Sequence, residues 1–151
     1  MRDEQISRIA VYGPFAGTVP FALGLLLVLA PGLVPLEPVV VERALIGYGA
    51  LLLGFFGGVR WGLAIMDRRT DDTVFAISLL GAGLGLVALV LPFGFGLALL
   101  TVGFAGQGAW DVWAGQRRSI PEAYASGRAG VTLIICLLLA ATILAYAATH
   151  G

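Results

Sequence analysis

Long apolar runs, separated by short polar segments, set the organisation of this chain. Five runs are close to or longer than the roughly 20 residues that a helix needs to cross the hydrocarbon core of a bilayer. They cover about residues 9–30, 40–66, 74–91, 95–114 and 128–148. The link between the third and fourth runs is very short, which predicts that these two helices are antiparallel neighbours. The pattern predicts an all-α integral membrane protein with a single transmembrane domain over residues 1–151.

Each predicted helix carries small or polar residues along one face and aliphatic residues over the rest. Transmembrane helices pack through small residues, because lipid provides no hydrophobic drive for their association. The five runs therefore predict one compact bundle.

The second run has glycines on one face and an arginine on the other, so both faces are expected to meet protein. This predicts that the second helix is central. Its glycines Gly54, Gly58 and Gly62 are predicted to pack against helices of the same chain, and a homodimer contact is the alternative.

The first run contains Pro14 and Pro20, which predict a kinked helix. A kink is tolerated in a membrane when neighbouring helices satisfy the freed carbonyl groups. The run is longer than the apolar region of a signal peptide, about 7–15 residues. A retained helix is therefore predicted, and a signal peptide cleaved after Val28-Leu29-Ala30 is the alternative.

Composition and charge agree with a membrane protein and indicate its orientation. Of the 151 residues, 59% are hydrophobic and only 12% are charged, against about 25% charged residues in soluble domains. Of the nine arginines, Arg43 lies on the side opposite the N-terminus and Arg60 lies within a span. The side that holds the N-terminus has Arg2, Arg8, Arg68, Arg69, Arg117, Arg118 and, at its edge, Arg128. By the positive-inside rule, the N-terminus is predicted to be cytoplasmic and the C-terminus outside.

Four aromatic side chains lie near the predicted cytoplasmic ends of their helices: Trp61, Trp110, Trp113 and Tyr124. Tryptophan and tyrosine are enriched at the membrane–water interface, where an apolar ring and a polar tip are both satisfied. Interfacial anchoring is the prediction for this set. Stacking of the tryptophans on a ring-shaped ligand is the alternative.

Charged residues lie inside two of the predicted spans and at the edge of a third. Arg60 and Asp111 fall at matching depth, Arg128 lies near the same level, and Gln107 is one turn from Asp111. A lone charge at mid-membrane costs about 2.5–3.5 kcal/mol on insertion scales, so pairing is expected. The cluster is interpreted as a structural clasp. The alternative is a site for an anionic headgroup, a quinone oxygen or a proton, with Gln107 extending the polar pocket.

The side chains of common catalytic and metal sites are scarce. The chain has no lysine, which excludes Schiff-base chemistry, and Cys136 is its only cysteine. His150 is the only histidine, so the serines have no histidine base within the membrane. The glycine pairs inside apolar helices do not form phosphate loops. No catalytic residue, metal site, cofactor or nucleic-acid partner is predicted, and the protein is not expected to be an enzyme.

Three segments of the chain resemble one family of small multi-span proteins. They are YGALLLGFFGGVRWGLA (48–64), the Gly103-Phe104…Asp111 pattern, and Pro121…Tyr124…Arg128 before the last helix. Together they are similar to the family catalogued as domain of unknown function 3429, whose animal members are called transmembrane protein 69. The resemblance implies a five-span protein of the bacterial inner (cytoplasmic) membrane, and it carries no established activity.

These observations favour an accessory or assembly subunit of a larger membrane complex. The alternatives are a small transporter or channel, or a lipid- or quinone-binding module that uses the Arg/Asp cluster on the cytoplasmic side. The expected partners are the lipid bilayer, other membrane-protein subunits, and an anionic lipid or quinone.

Overall fold

The computed structural model describes residues 13–68, 72–117 and 122–150, and in this part of the chain the fold is a bundle of five helices. These are α1 (Val19–Leu29), α2 (Pro38–Met66), α3 (Asp72–Val90), α4 (Phe93–Gln116) and α5 (Glu122–His150). The helices α2 to α5 are long and apolar enough to cross a membrane, and Gly13–Leu29 is a shorter apolar helix. The predicted all-helical membrane fold is confirmed. The orientation of the termini stays a prediction.

Prolines mark where several helices begin. Pro38 occupies the first turn of α2, where its missing N–H has no helical partner to lose. Pro92 lies in an extended conformation just before α4 and separates α4 from α3 by a two-residue link. The short link makes α3 and α4 packed neighbours, as the sequence predicts.

The first predicted span is interrupted at Gly17 and Thr18 rather than kinked at its prolines. A helical turn at residues 13–16 precedes this break, and Pro20 lies in the first turn of α1. Thr18 Oγ1 donates a hydrogen bond to the Phe15 carbonyl oxygen at 2.7 Å. The Tyr48 hydroxyl of α2 donates to the Gly17 carbonyl oxygen at 2.8 Å. A neighbouring helix thus satisfies a carbonyl group at the break.

The most enclosed helix is α4, so the prediction that the second helix is central is wrong. Within the spanning window of each long helix, 44% of α4 residues are buried, against 28% for α2, α3 and α5. The helix α4 packs against α2, α3 and α5, while α1 packs against α2 and α5. The buried side chains Leu97, Leu100 and Phe104 of α4 are part of the main apolar core.

The glycines of α2 that pack most closely on other helices are Gly49 and Gly57, which are not among the predicted three. A Cβ at Gly58 or Gly62 would meet no described atom within 4 Å, and at Gly54 it would make ordinary contact with Ala82 at 3.7 Å. A Cβ at Gly57, in contrast, would collide with the Ser78 carbonyl oxygen of α3. The structure contradicts packing of Gly58 and Gly62 against the described helices of the chain, because the face with Gly57 is the one buried against α3 and α4.

The helices differ in length, which shapes the end of the bundle that holds the α3–α4 turn. The helix α2 has 29 residues and α3 has 19. The first turns of α2 stand beside the α3–α4 turn, and a cavity of about 500 Å³ lies between them. Glu42 and Arg43 of α2 line it, together with Leu91 and Phe93 from the turn.

Candidate functional site

Asp111 of α4 lies between two guanidinium groups from neighbouring helices. Arg60 of α2 donates through Nη1 to Asp111 Oδ1, and Arg128 of α5 donates through Nε to Asp111 Oδ2 at 3.0 Å. Asp111 is 2% exposed, Arg128 1% and Arg60 8%. The structure therefore brings together the three charged residues that the sequence singled out, as one buried cluster with a shared carboxylate.

The three helices place these side chains at a common level. Arg60 lies six residues before the end of α2, Asp111 five before the end of α4, and Arg128 six after the start of α5. At 1.5 Å per residue, each Cα is about 8–9 Å from its helix end. One charged side chain from each helix thus meets the others well inside the bundle.

Aromatic rings cover both guanidinium groups. Arg128 Cζ lies 3.4 Å from the centroid of the Phe56 ring, and Arg60 Cζ lies 5.4 Å from that of Trp110. A guanidinium over an aromatic face gains about 0.5–2 kcal/mol, more when water is excluded. Phe56 therefore offsets part of the hydration that Arg128 loses on burial.

Several polar atoms around the ion pairs have no hydrogen-bond partner among the described residues. They are Arg128 Nη1 and Nη2, Gln107 Nε2 and Oε1, Thr132 Oγ1 and Trp110 Nε1. Native proteins pair most buried polar atoms, so unpaired ones indicate a bound water, an ion or a functional role. Their concentration within about one helical turn of Asp111 marks this region as the candidate site.

The comparison with protein families identifies the family of this chain. The family described as "Protein of unknown function (DUF3429)" matches residues 6–144. The chain belongs to this family. The search of curated proteins and the search of solved structures each returned no match. The further likeness to animal transmembrane protein 69 stays a prediction.

Gln107 occupies an unusual place in this DUF3429 protein. It is buried one turn before Asp111, at 7% exposure. Its Nε2 packs so closely on Gly81 of α3 that a Cβ there would collide with it. The side chain thus reaches across to α3, but it makes no hydrogen bond to any described residue.

Two residues of the site were not predicted from the sequence. Thr132 lies one turn from Arg128 on α5 and packs against Gly108 of α4. The spacing of four residues between Arg128 and Thr132 was a usable signal, since both fall on one helix face. Phe56 has no such signal, because its contact with Arg128 joins helices that are distant in sequence.

Of the predicted interfacial aromatics in this DUF3429 protein, Trp61 and Trp110 lie at the level of the charge cluster, and Trp113 lies three residues before the end of α4. Trp61 is 36% exposed and packs edge-on against Phe75. Trp113 is 42% exposed, its ring centroid is 4.9 Å from that of Trp110, and Arg117 Cζ lies 4.2 Å from it. The side chain of Tyr124 lies outside the described part of the structure. Anchoring at the interface stays a prediction for all four.

Metal chemistry finds no support in the described part of the chain. None of its His, Cys, Asp and Glu side chains form a group of three that could hold a metal ion. The cluster instead offers one shared carboxylate, two guanidinium groups and several unpaired donors. Such an arrangement can hold helices together, and it can bind a group rich in acceptor oxygens.

Proposed function

We propose that this DUF3429 protein is a non-catalytic accessory subunit of a larger membrane assembly, which it joins through the outer glycine face of α2. The observation that carries the proposal is the open space at Gly58 and Gly62. The two residues form a glycine pair at a spacing of four residues. In a bilayer this spacing lets a second helix approach the backbone closely.

The residues around these glycines extend the same face. Leu51 and Phe55 precede Gly58 on this side of α2 and are 74% and 58% exposed. A lipid-facing helix needs no glycine, because large aliphatic side chains contact acyl chains better. Docking of a partner helix explains why small residues recur on a face that the described part of the chain leaves uncovered.

The test isolates the full-length protein from its native membrane in mild detergent and identifies bound proteins by native mass spectrometry. Gly58→Leu and Gly62→Leu are expected to lose the partner while keeping the wild-type unfolding temperature. Gly106→Leu of α4 is the matched control, since a Cβ at Gly106 also meets no described atom but no glycine lies four residues before or after it. Retention of the same partner by all three variants contradicts docking through this face.

A second candidate function is an anion-binding module, which the unpaired buried donors near Asp111 favour. That site is on α4 and α5, away from the outer face of α2. The two functions therefore depend on different residues and fail independently.

A further inference from the structure

Arg128 uses only part of its hydrogen-bonding capacity. Its Nε donates to Asp111, but Nη1 and Nη2 have no partner in the described part of the chain, and the residue is 1% exposed. Asp111 also accepts a hydrogen bond from Arg60, so its single negative charge is shared. Arg128 is therefore a buried cation with an incomplete counter-charge and four free N–H donors.

Two further buried polar side chains from neighbouring turns have no hydrogen-bond partner among the described residues. The Gln107 amide and the Arg128 guanidinium pack against adjacent residues of α2. Gln107 Nε2 lies 3.4 Å from the position of a Cβ on Gly57, and Arg128 Cζ lies 3.4 Å above the Phe56 ring. Thr132 is one turn from Arg128 on α5, and its hydroxyl also has no hydrogen-bond partner in residues 13–68, 72–117 and 122–150. Unpaired donors thus come from both α4 and α5.

The chemistry of these groups indicates the ligand. Donors outnumber acceptors, and the guanidinium carries a positive charge, so the missing partner is rich in acceptor oxygens and negative. The two terminal nitrogens of an arginine match two oxygens of an oxyanion in a bidentate pair. Because α4 adds an amide and α5 a hydroxyl, a tetrahedral group fits better than a planar carboxylate.

We propose that the bundle binds a phosphate group beside Arg128, with Gln107 and Thr132 donating to its other oxygens. The group is either free phosphate or part of a lipid headgroup. The site lies about 8–9 Å inside the helix ends. Ordered water is the competing explanation: it satisfies the same atoms, but it is neutral and leaves the protein insensitive to phosphate.

The test measures thermal unfolding of the full-length protein in a maltoside detergent, which has neither phosphate nor carboxylate. One arm adds inorganic phosphate, and the other adds phosphatidylglycerol. Both are compared with chloride at equal ionic strength. At least one probe is expected to raise the unfolding temperature of the wild type, since a ligand that binds the folded state stabilises it. The arm that responds identifies free phosphate or lipid as the source.

The variants then assign the effect to the site. Gln107→Met keeps the side-chain volume and removes the amide, so the apparent affinity for the active probe is expected to fall about tenfold, as for one lost hydrogen bond to a charged group. Gln116→Met, the same change at an exposed position of α4, is expected to leave the affinity unchanged. Thr132→Val provides a second test if Gln107→Met does not fold.

Two results overturn the proposal. The first is that neither phosphate nor phosphatidylglycerol stabilises the wild type more than chloride does, which would leave ordered water as the explanation. The second is that a probe stabilises the protein, but the site variants and Gln116→Met bind it with the same apparent affinity, which would place the binding on the surface.

Discussion

Replacement of Asp111 tests whether one carboxylate supports both arginines. Asp111→Leu leaves two guanidinium groups without their shared acid. Removal of one partner from a buried ion pair costs about 3–5 kcal/mol, because the remaining charge stays unpaired in a low dielectric. Because Arg60 lies closer to a helix end and is more exposed than Arg128, we expect most of the loss to come from Arg128, and the free energy of unfolding to fall by about 3–5 kcal/mol. Either single arginine variant costs less, because Asp111 keeps one partner.

Two double variants distinguish how much each arginine contributes to the loss of stability. Arg60 is 8% exposed and lies six residues from the end of α2, so it can extend toward the interface when unpaired. Arg128 is 1% exposed and is stacked on Phe56, so it has no such route. The Arg128→Leu/Asp111→Leu variant is therefore expected to recover most of the lost stability. The Arg60→Leu/Asp111→Leu variant is expected to recover little.

The assay is reversible unfolding in mixed micelles, with coupling energies taken from the double-mutant cycles. Equal recovery by the two double variants refutes the asymmetry between the arginines. Simple addition of the single losses shows that the residues are not coupled and refutes the shared carboxylate itself.

Two other predictions concern packing and topology. Gly57→Ala places a methyl group against the Ser78 carbonyl oxygen, so it should lower stability by about 1–3 kcal/mol through separation of α2 and α3. Gly47→Ala faces open space, so it should not lower stability and should raise it by up to about 1 kcal/mol, because alanine favours a helix more than glycine does. Similar losses for the two variants in an unfolding assay would contradict the packing of α2. A reporter active only outside the cytoplasm should work after His150 and fail in the α2–α3 loop, and the reverse would contradict the predicted orientation.

The charge cluster could be predicted from the sequence because few charged residues lie within the spans. A buried arginine needs an acid, and Asp111 is the acid at the depth of Arg60 and Arg128. Helical periodicity placed Asp111 on the small-residue face of its span, which is the face that packs inward. These physical constraints sufficed to group the three residues, but not to show that both arginines share the carboxylate.

The face of α2 that packs against other helices could not be predicted from the sequence in the same way. Glycines occur on two sides of this helix, with Gly49 and Gly57 on one and Gly58 and Gly62 on the other. Periodicity finds faces of small residues, but it does not say which face a neighbouring helix covers. That choice depends on the positions of α3 and α4, and on close contacts such as that between Gly57 and the Ser78 carbonyl oxygen.

The unequal lengths of α2 and α3 have a consequence for the surrounding lipid. At 1.5 Å per residue, the part of α2 after Arg43 (residues 44–66) is about 35 Å long and α3 about 28 Å, while the hydrocarbon core is about 30 Å thick. Because the two helices pack together, a common tilt cannot match both to one thickness. The protein is therefore expected to impose a step in bilayer thickness around its perimeter, with an elastic cost to the lipid. Proteins that impose the same step share this cost when they lie side by side, which adds a lipid-mediated attraction to any direct contact through α2.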